Sequence, residues 1–200
     1  AQAPQGTVLA SHASEGLRTG LKAMLKHSTN LTAEAVGMAA SLRMGVQGDH
    51  EASARAMTGW LKARVGVTDA VLHDHSGLGA TTRITAADMV NTIRALGPQA
   101  GLRGLMKPVV FKDAKGKKAV SPILVEAKTG TLNFVSALTG FMVAPDGREL
   151  IFAIFTGDLA RRDALPIEAR ESPEGGTAWV RRSKRLQQQL IERWGAVYGA

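Results

Sequence analysis

The sequence predicts an α+β fold, an antiparallel sheet with flanking helices. Apolar residues recur at helical spacing through most of residues 1–97. Two strand-like apolar runs within 136–158 are joined at Pro145-Asp146-Gly147, which is the chemistry of a hairpin turn. Residues 176–198 then return to a helical period. Helices, then strands, then one helix are typical of the α+β class.

Two helices are predicted on either side of a polar break at 28–30. In the first, over 14–27, Leu17 and Leu21 follow helical spacing, and Ser14 is expected to cap the N-terminus. The same period resumes over 31–45. The break is therefore expected at the junction of two helices.

Two further helices are predicted, over 49–66 and 85–97. In the former, the residues on one face are Ala52, Ala56 and Trp60. The latter is expected to stop at Gly97-Pro98. Between the two helices, 69–83 predicts a short strand at most, followed by a glycine-rich turn.

The remaining strand signal lies at 122–131, and with the hairpin it gives about three antiparallel strands. Three strands make a thin sheet for 200 residues, so something else is expected to complete it. The last helix has apolar residues along one face, which we expect to be mostly buried against the sheet. They are Trp179, Leu186, Leu190 and Trp194.

Composition excludes several classes of protein. Apolar residues make up 44% and charged residues 21%, which is ordinary for a globular chain and unlike a disordered or fibrous one. The absence of cysteine excludes disulfide scaffolds, thiol catalysis and cysteine-ligated metals. The longest apolar runs, such as 150–155, fall far short of the ~20 residues of a membrane span.

The net charge of +8 favours anionic partners, and two clusters concentrate it. The clusters are Lys112, Lys115, Lys117 and Lys118, and Arg181, Arg182, Lys184 and Arg185. Such runs are usually a solvated loop and a solvated helix face. Binding of nucleic acid would require aromatic residues among the cations, and neither cluster contains one. We therefore expect no nucleic-acid partner.

The histidines offer two misleading patterns. Asp74-His75-Ser76 holds the residue types of a hydrolytic triad, but a working triad brings them together from separate segments. His73 and His75 alternate on a possible strand, yet no carboxylate or third histidine stands at a supporting spacing for a metal. We therefore expect no metal site here.

Two polar segments are better candidates for a site. Ser28-Thr29-Asn30 lies at the break between two helices, where such residues also commonly cap the next helix. Lys128-Thr129-Gly130-Thr131 ends an apolar strand, and its glycine allows close approach by a ligand or another backbone. The lysine supplies positive charge and the threonines supply donors suited to a carboxylate, although a solvated strand end is the alternative. In this order the two segments match motifs shared by penicillin-binding proteins and β-lactamases.

The chain resembles the class C low-molecular-mass penicillin-binding proteins, the D-alanyl-D-alanine carboxypeptidase/endopeptidase group. The resemblance covers essentially the whole chain from about residue 7. Residues 26–36 match the family's Ser-x-Asn segment and its helix, and 74–90 are similar to its Asp-Gly-Ser-Gly-Leu-Ser segment. Residues 125–142 resemble its Lys-Thr-Gly strand, and the hairpin and last helix follow in the expected places.

The resemblance implies a serine-type carboxypeptidase/endopeptidase of the bacterial cell envelope, periplasmic or otherwise exported. It would act on peptidoglycan stem peptides through an acyl-enzyme, be inhibited by penicillin and other β-lactams, and need no cofactor. The implied site residues are Ser28, Asn30 and Lys128 in catalysis, Thr129, Gly130 and Thr131 in substrate binding, and Asp74 and Ser76 in holding a turn near the cleft.

Within that family, Ser28 would relay a proton to the leaving amine and Asn30 would hold the acyl-side amide of the substrate. Lys128 would polarise the Ser28 hydroxyl. The Thr129 and Thr131 hydroxyls would bind the terminal carboxylate, and the Thr131 N–H would be one oxyanion donor. Gly130 would allow the substrate to lie antiparallel along the strand.

Several residues depart from the family pattern. His75 stands where glycine is usual and Gly79 where serine is usual. No Ser-x-x-Lys, the motif that carries the nucleophile, occurs in the 200 residues. We therefore expect 1–200 to be the C-terminal portion of one penicillin-binding domain whose missing N-terminal segment supplies it. The helical part would be 10–97, and the strands and last helix 120–200.

Two other functions remain open from the sequence. A non-catalytic wall-binding module would keep the strand without the nucleophile, although it would have little use for Ser28 and Lys128. A serine β-lactamase shares the same motifs, and rapid deacylation of penicillin would distinguish it.

Overall fold

The computed structural model describes residues 6–7 and 9–199, so residues 1–5, 8 and 200 of the expected 1–200 domain lie outside it. Helices come first, then a sheet, then helices again, which confirms the α+β class. The first helices are α1 (Leu17–His27), α2 (Asn30–Arg43), α3 (His50–Val65) and α4 (Ala86–Ala100). The strands are β1 (Lys107–Pro108), β2 (Leu124–Leu132), β3 (Val135–Val143) and β4 (Glu149–Gly157), and α5 (Leu159–Asp163) and α6 (Gly176–Tyr198) follow.

The four strands form one antiparallel sheet in the order β1-β2-β3-β4. The two-residue β1 was not predicted, and it covers β2 only at Glu126 and Ala127. The predicted hairpin is confirmed: β3 and β4 pair along their whole length, and Gly147 turns the chain between them at φ +88°. A positive φ favours glycine because it has no Cβ.

Alternation along the strands separates two faces of the sheet. One face packs under α6, where Val125, Ala127, Leu138 and Met142 enclose Ile191 of the helix. The opposite face meets α4. Neighbouring side chains of a strand point to opposite faces, so Lys128, which follows Ala127 in β2, lies on this second face. The fold therefore directs Lys128 toward the helical part of the chain.

The predicted burial of α6 is wrong in part. Leu186 is 45% exposed, and the two tryptophans and Leu190 are only partly buried. The buried positions are instead Gly176, Ser183, Gln187, Ile191 and Gly195, of which Ile191 alone is a large apolar residue. At Gly195 there is no room for a side chain, since a Cβ there would be 2.3 Å from Cδ1 of Ile123, the residue before β2. The large apolar residues flank this contact.

The predicted cap of the first helix needs correction, and the structure shows which residues of the third helix are buried. α1 begins at Leu17 with Gly16 as its N-cap, so Ser14 lies outside the helix and caps nothing. In α3 the buried side chains are Ser53, Ala54 and Leu61, because Val67, Ala70 and Leu72 pack there. Trp60, predicted to share one face of this helix with Ala52 and Ala56, is 40% exposed.

The fourth helix does not stop at Gly97-Pro98. It continues through Pro98 to Ala100 and ends at Gly101, whose φ is +58°. A proline this near the C-terminus removes only one of the last backbone hydrogen bonds, so the final turn survives. Within the described residues, no helix is both long and apolar enough to cross a membrane.

The sheet predicts a contrast between two glycine substitutions. A Cβ on Gly140 would lie 2.2 Å from the Glu126 carbonyl oxygen, which is backbone and cannot move aside, whereas Gly59 in α3 has open space. Gly140→Ala should lower the free energy of unfolding by about 1–3 kcal/mol. Gly59→Ala should raise it by up to about 1 kcal/mol. Urea denaturation checks both, and equal effects would contradict the described strand packing.

Candidate active site

Ser28 occupies the corner between α1 and α2. It is the C-cap of α1, with φ 56° and ψ 48°, and its N–H donates to the Met24 carbonyl. Thr29 is the N-cap of α2, so the two helices meet without a longer loop. A left-handed conformation costs a residue with a Cβ about 1–2 kcal/mol. The corner is thus a strained turn that presents an exposed hydroxyl.

Lys128 reaches this corner from the sheet. Its Nζ donates to Oγ of Ser28 at 2.6 Å and also to the Thr129 carbonyl. The predicted contact between Ser28 and Lys128, 100 residues apart, is therefore present. Burial, together with the positive charge of Lys107, lowers the pKa of Lys128 below that of an ordinary lysine. A less firmly held proton suits a group that shares a hydrogen bond with a hydroxyl.

The position of Asn30 follows from that of Ser28 and from the start of α2. This residue opens α2 two residues after Ser28, and its side chain is exposed. The structure gives that side chain no hydrogen bond to Lys128. The expected meeting of all three residues is thus seen for Ser28 and Lys128, while the role of Asn30 stays a prediction.

The rest of the Lys-Thr-Gly-Thr segment lies at the outer edge of the sheet. Strand alternation puts Thr129 and Thr131 on the opposite side of β2 from Lys128 and Gly130. On that edge, the Val125 carbonyl accepts a hydrogen bond from Val109 N–H. Because the backbone groups of successive residues in an antiparallel strand point to opposite sides, those of Thr129 and Thr131 also point outward. β1 pairs only with Glu126 and Ala127. Within the described residues, the outward N–H of Thr131 therefore has no strand partner.

Asp74 and Ser76 build a compact turn. The Asp74 carboxylate accepts from Gly77 N at 3.2 Å, from Gly79 N at 2.6 Å and from the Thr82 hydroxyl at 2.8 Å. Oγ of Ser76 accepts from Leu78 N at 3.3 Å. A carboxylate with three donors holds its loop firmly. This is the local arrangement that their predicted structural role requires.

Glu34, which the sequence did not single out, fastens this turn to α2. Its carboxylate accepts from the backbone N–H of Ser76 at 3.0 Å and of His75 at 3.2 Å. Burial opposes ionisation of Glu34, but hydrogen bonds from Ser76 and His75 outweigh it and lower the pKa. Glu34 lies one helical turn after Asn30. Its contact with the turn therefore anchors the first turns of α2.

His75 forms a second anchor. Its ring lies against Gly37, where a Cβ would be 2.1 Å from the ring Cγ. Nε2 of His75 is 2.8 Å from Oγ of Ser53, which donates to Oγ of Ser41 at 2.6 Å. Nδ1 is buried without a hydrogen-bond partner. The histidine that departs from the family pattern is thus accommodated by a glycine on α2.

In the sequence, only the spacing of the anchoring residues along α2 could have identified them. Glu34, Gly37 and Ser41 follow one another at intervals of three and four, which places them on one face of α2. Their partners lie in the 74–79 turn and in α3, which no local pattern connects to α2. Among the described residues, no group of three or more acidic residues or histidines is arranged to hold a metal ion.

A Ser-x-Asn corner in contact with the lysine of a Lys-Thr-Gly strand, on an antiparallel sheet with helices on both faces, defines the class of penicillin-binding proteins and serine β-lactamases. Comparison with known families narrows this class. The model of the D-Ala-D-Ala carboxypeptidase 3 (S13) family matches residues 1–172, and the chain belongs to that family.

Two sequence relatives illustrate the match. The D-alanyl-D-alanine carboxypeptidase of Actinomadura sp. strain R39 is 31% identical over 201 residues, which cover 84% of this chain and 35% of that protein. Carboxypeptidase DacB of Mycolicibacterium smegmatis is 27% identical over 180 residues, covering 82% of this chain and 38% of that protein. The chain thus spans well under half the length of these relatives.

Solved structures show the same fold. Penicillin-binding protein 4 of Haemophilus influenzae, in complex with a novel β-lactam, superposes on this chain with a TM-score of 0.67 at 24% identity. The match covers 95% of this chain and 45% of that chain. A predatory endopeptidase of Bdellovibrio bacteriovorus, acylated by penicillin G, gives a TM-score of 0.58 at 20% identity, with 88% and 45% covered.

The contact between His75 and Gly37 predicts a rescue. Gly37→Ala should lower the free energy of unfolding by about 1–3 kcal/mol, because the new methyl group overlaps the His75 ring. Adding His75→Ala should restore most of that loss by removing the ring. Gly20→Ala in α1, where nothing lies within 4 Å, is the matched control. Urea denaturation of the set measures the coupling, and a double variant whose losses simply add would show that the described contact is absent.

Proposed function

We propose that this chain forms the C-terminal part of the catalytic domain of a serine-type D-alanyl-D-alanine carboxypeptidase/endopeptidase. Its substrates would be peptidoglycan stem peptides of the bacterial cell envelope, and β-lactams would inhibit it. The observation that carries the proposal is the hydrogen bond from Lys128 to Ser28. An ammonium group beside a hydroxyl at a strained corner suits proton transfer better than it suits passive binding.

The reaction proceeds in two steps. A serine nucleophile attacks the carbonyl carbon of the penultimate D-alanine, and the bond to the leaving amine breaks, which gives an acyl-enzyme. The lysine of the Ser-x-x-Lys segment takes the hydroxyl proton of the nucleophile, and Ser28 relays this proton to the leaving amine while Lys128 stabilises the Ser28 oxygen. Water then hydrolyses the ester and releases the trimmed peptide.

The edge of β2 positions the substrate. The peptide adds to the sheet along Thr129–Thr131, and the absence of a side chain at Gly130 allows this close approach. The Thr129 and Thr131 hydroxyls bind the terminal carboxylate, to which Lys128 adds positive potential. The outward N–H of Thr131 donates to the oxyanion, and loss of one such donor typically costs about 10²–10³ in rate. Asn30 holds the amide on the acyl side.

The nucleophile is assigned to a segment outside these 200 residues. The chain contains no Ser-x-x-Lys, and it spans 35% of the Actinomadura relative. In this arrangement Ser28 is a relay and Ser76 a turn residue, so neither forms the ester. β4 and the flank of α6 that carries the exposed Leu186 are the sheet edge and helix face left for the rest of the domain.

Mass spectrometry with benzylpenicillin tests this assignment. The 200-residue chain should form no covalent adduct, whereas a longer protein that includes the Ser-x-x-Lys segment should gain one penicilloyl group. A stoichiometric adduct on the short chain would mean that a serine within it is the nucleophile. Absence of an adduct on the longer, folded protein would contradict the proposed enzyme. Rapid release of hydrolysed penicillin would instead identify a β-lactamase.

The same experiment distinguishes the role of Lys128. In the longer protein, Lys128→Ala should slow acylation, because it removes charge from the carboxylate site and the partner of Ser28. Lys128→Arg keeps the charge but replaces a compact ammonium group with a planar fork, so it should restore part of the binding and little of the rate. Lys115→Ala, in an exposed turn, is the control and should acylate normally. Unchanged acylation in Lys128→Ala would remove the lysine from the mechanism.

A further inference from the structure

The His75 side chain lies between α2 and α3 and has no part in the reaction proposed above. Its ring packs on Gly37 of α2, and its Nε2 is 2.8 Å from Oγ of Ser53 on α3. Its Nδ1 is buried, and among the described residues no hydrogen-bond partner reaches it. An unpaired atom on a titratable ring needs a reason, because buried polar groups are nearly always hydrogen-bonded.

The serines beside the ring determine which nitrogen carries its proton. Oγ of Ser53 donates to Oγ of Ser41 at 2.6 Å, and Ser41 donates in turn to the Ser53 carbonyl at 3.5 Å. The Ser53 oxygen is therefore left as an acceptor, so Nε2 of His75 donates to it. Nδ1 is then the bare nitrogen of a neutral ring. The opposite tautomer would bury an N–H group without an acceptor, which is costly.

A second proton has no place on this ring while the ring stays packed. An imidazolium carries an N–H on both nitrogens, and the one on Nδ1 would be buried without an acceptor. The atom is already enclosed by the described residues, so further segments of a longer protein would not reach it. Protonation of His75 therefore requires that the ring leave its position between the two helices.

The charged groups around the ring offer it no acceptor. Glu34 is the charged residue of α2 within four positions of Gly37, and its carboxylate accepts from backbone N–H groups of the turn. The Asp74 carboxylate accepts from its own loop. The titratable and charged residues of α3 within three positions of Ser53 are all exposed, and they are His50, Glu51 and Arg55.

The ring matters to the site because it helps to hold α2. This helix begins two residues after Ser28, and its buried residue, Ser41, belongs to the same chain of hydrogen bonds as the ring. Without the ring, α2 keeps the contact through Glu34 but loses the close fit at Gly37. Lys128 meets the Ser28 corner through a hydrogen bond of 2.6 Å. A misplacement of about 1 Å can cost about 10² in rate.

We propose that His75 is a positioning residue: its neutral ring holds α2, and with it the Ser28 corner, in line with Lys128, and protonation of the ring in acid releases this hold and slows acylation. The inference rests on the proposed function and adds control by pH to it. The anchor contributes at neutral pH and is lost as the pH falls, because the released ring takes up a proton that the packed ring excludes. Histidine changes charge between about pH 5 and 8, so the effect lies in that window.

The rate of acylation by benzylpenicillin, measured from about pH 5.5 to 8 in the longer protein with the Ser-x-x-Lys segment, tests the inference. The variant is His75→Gln, whose amide keeps an N–H donor for Ser53 but takes up no proton at these pH values. The ratio of the unaltered rate to the variant rate cancels the titration of the lysines that both proteins share. We expect this ratio to be constant above about pH 7.5 and to fall about fivefold by about pH 5.5.

His73→Gln is the matched control. His73 lies two residues earlier, is partly exposed, and has its Nδ1 3.8 Å from the Glu51 carboxylate, so its ring takes up a proton in place. The ratio for this variant should not change with pH. A flat ratio for His75→Gln, or an equal fall for His73→Gln, would overturn the inference and leave the proposed function standing. No acylation of the unaltered, folded protein at neutral pH would overturn the proposed function itself.

Spectra that correlate ring nitrogens with ring protons in the unaltered protein read His75 directly, whether or not the variant folds. At neutral pH they should show a neutral ring with its proton on Nε2. In acid, the appearance of the imidazolium should coincide with shifts of the amide signals of α2. A His75 ring that becomes charged while the α2 amides keep their positions would overturn the inference.

Discussion

Strand alternation in β2 is the constraint on which the site depends. Val125 and Ala127 are fixed in the core beneath α6, so Lys128 must leave the sheet on the other face, toward Ser28. A slip of one residue would reverse every side chain of the strand. The core thus sets both the position of the ammonium group and the partial burial that lowers the pKa of Lys128.

Polar contacts, and few apolar ones, hold the opposing wall. The buried residue of α2 is a serine, Ser41, and the helix is fastened through Glu34 and His75 to one turn. Hydrogen bonds are directional, so they fix rotation as well as distance. This suits a helix that begins two residues after Ser28 and so helps to keep the Ser28 corner aligned with Lys128. The close fit of His75 on Gly37 ties that alignment to one ring.

The sequence predicted what local patterns determine. Helical spacing, the Pro-Asp-Gly turn and the two polar segments identified the fold class, the hairpin and both walls of the site. The inner stripe of α6 was missed because a close approach to Ile123, not apolar spacing, selects Gly195. Glu34 was missed because its partners lie 41 and 42 residues away. No sequence pattern encodes such contacts between distant segments.

The basic clusters show the same limit on a larger scale. Each one alone is an ordinary solvated run, and the pairing of Gln188 with Lys112 brings Lys112 to the same groove as Arg181, Lys184 and Arg185. The strand β2 thus carries Lys128 on one face, and its open edge borders the cationic groove.

A double-mutant cycle on Ser28 and Lys128 tests the central claim most directly. The measured quantity is the second-order rate of acylation by benzylpenicillin in a protein that includes the Ser-x-x-Lys segment, for Ser28→Ala, Lys128→Ala and the pair. If the two groups act as one proton-transfer unit, the double variant should be about as slow as the slower single variant. Two losses that multiply would show that the hydrogen bond between them has no part in the reaction.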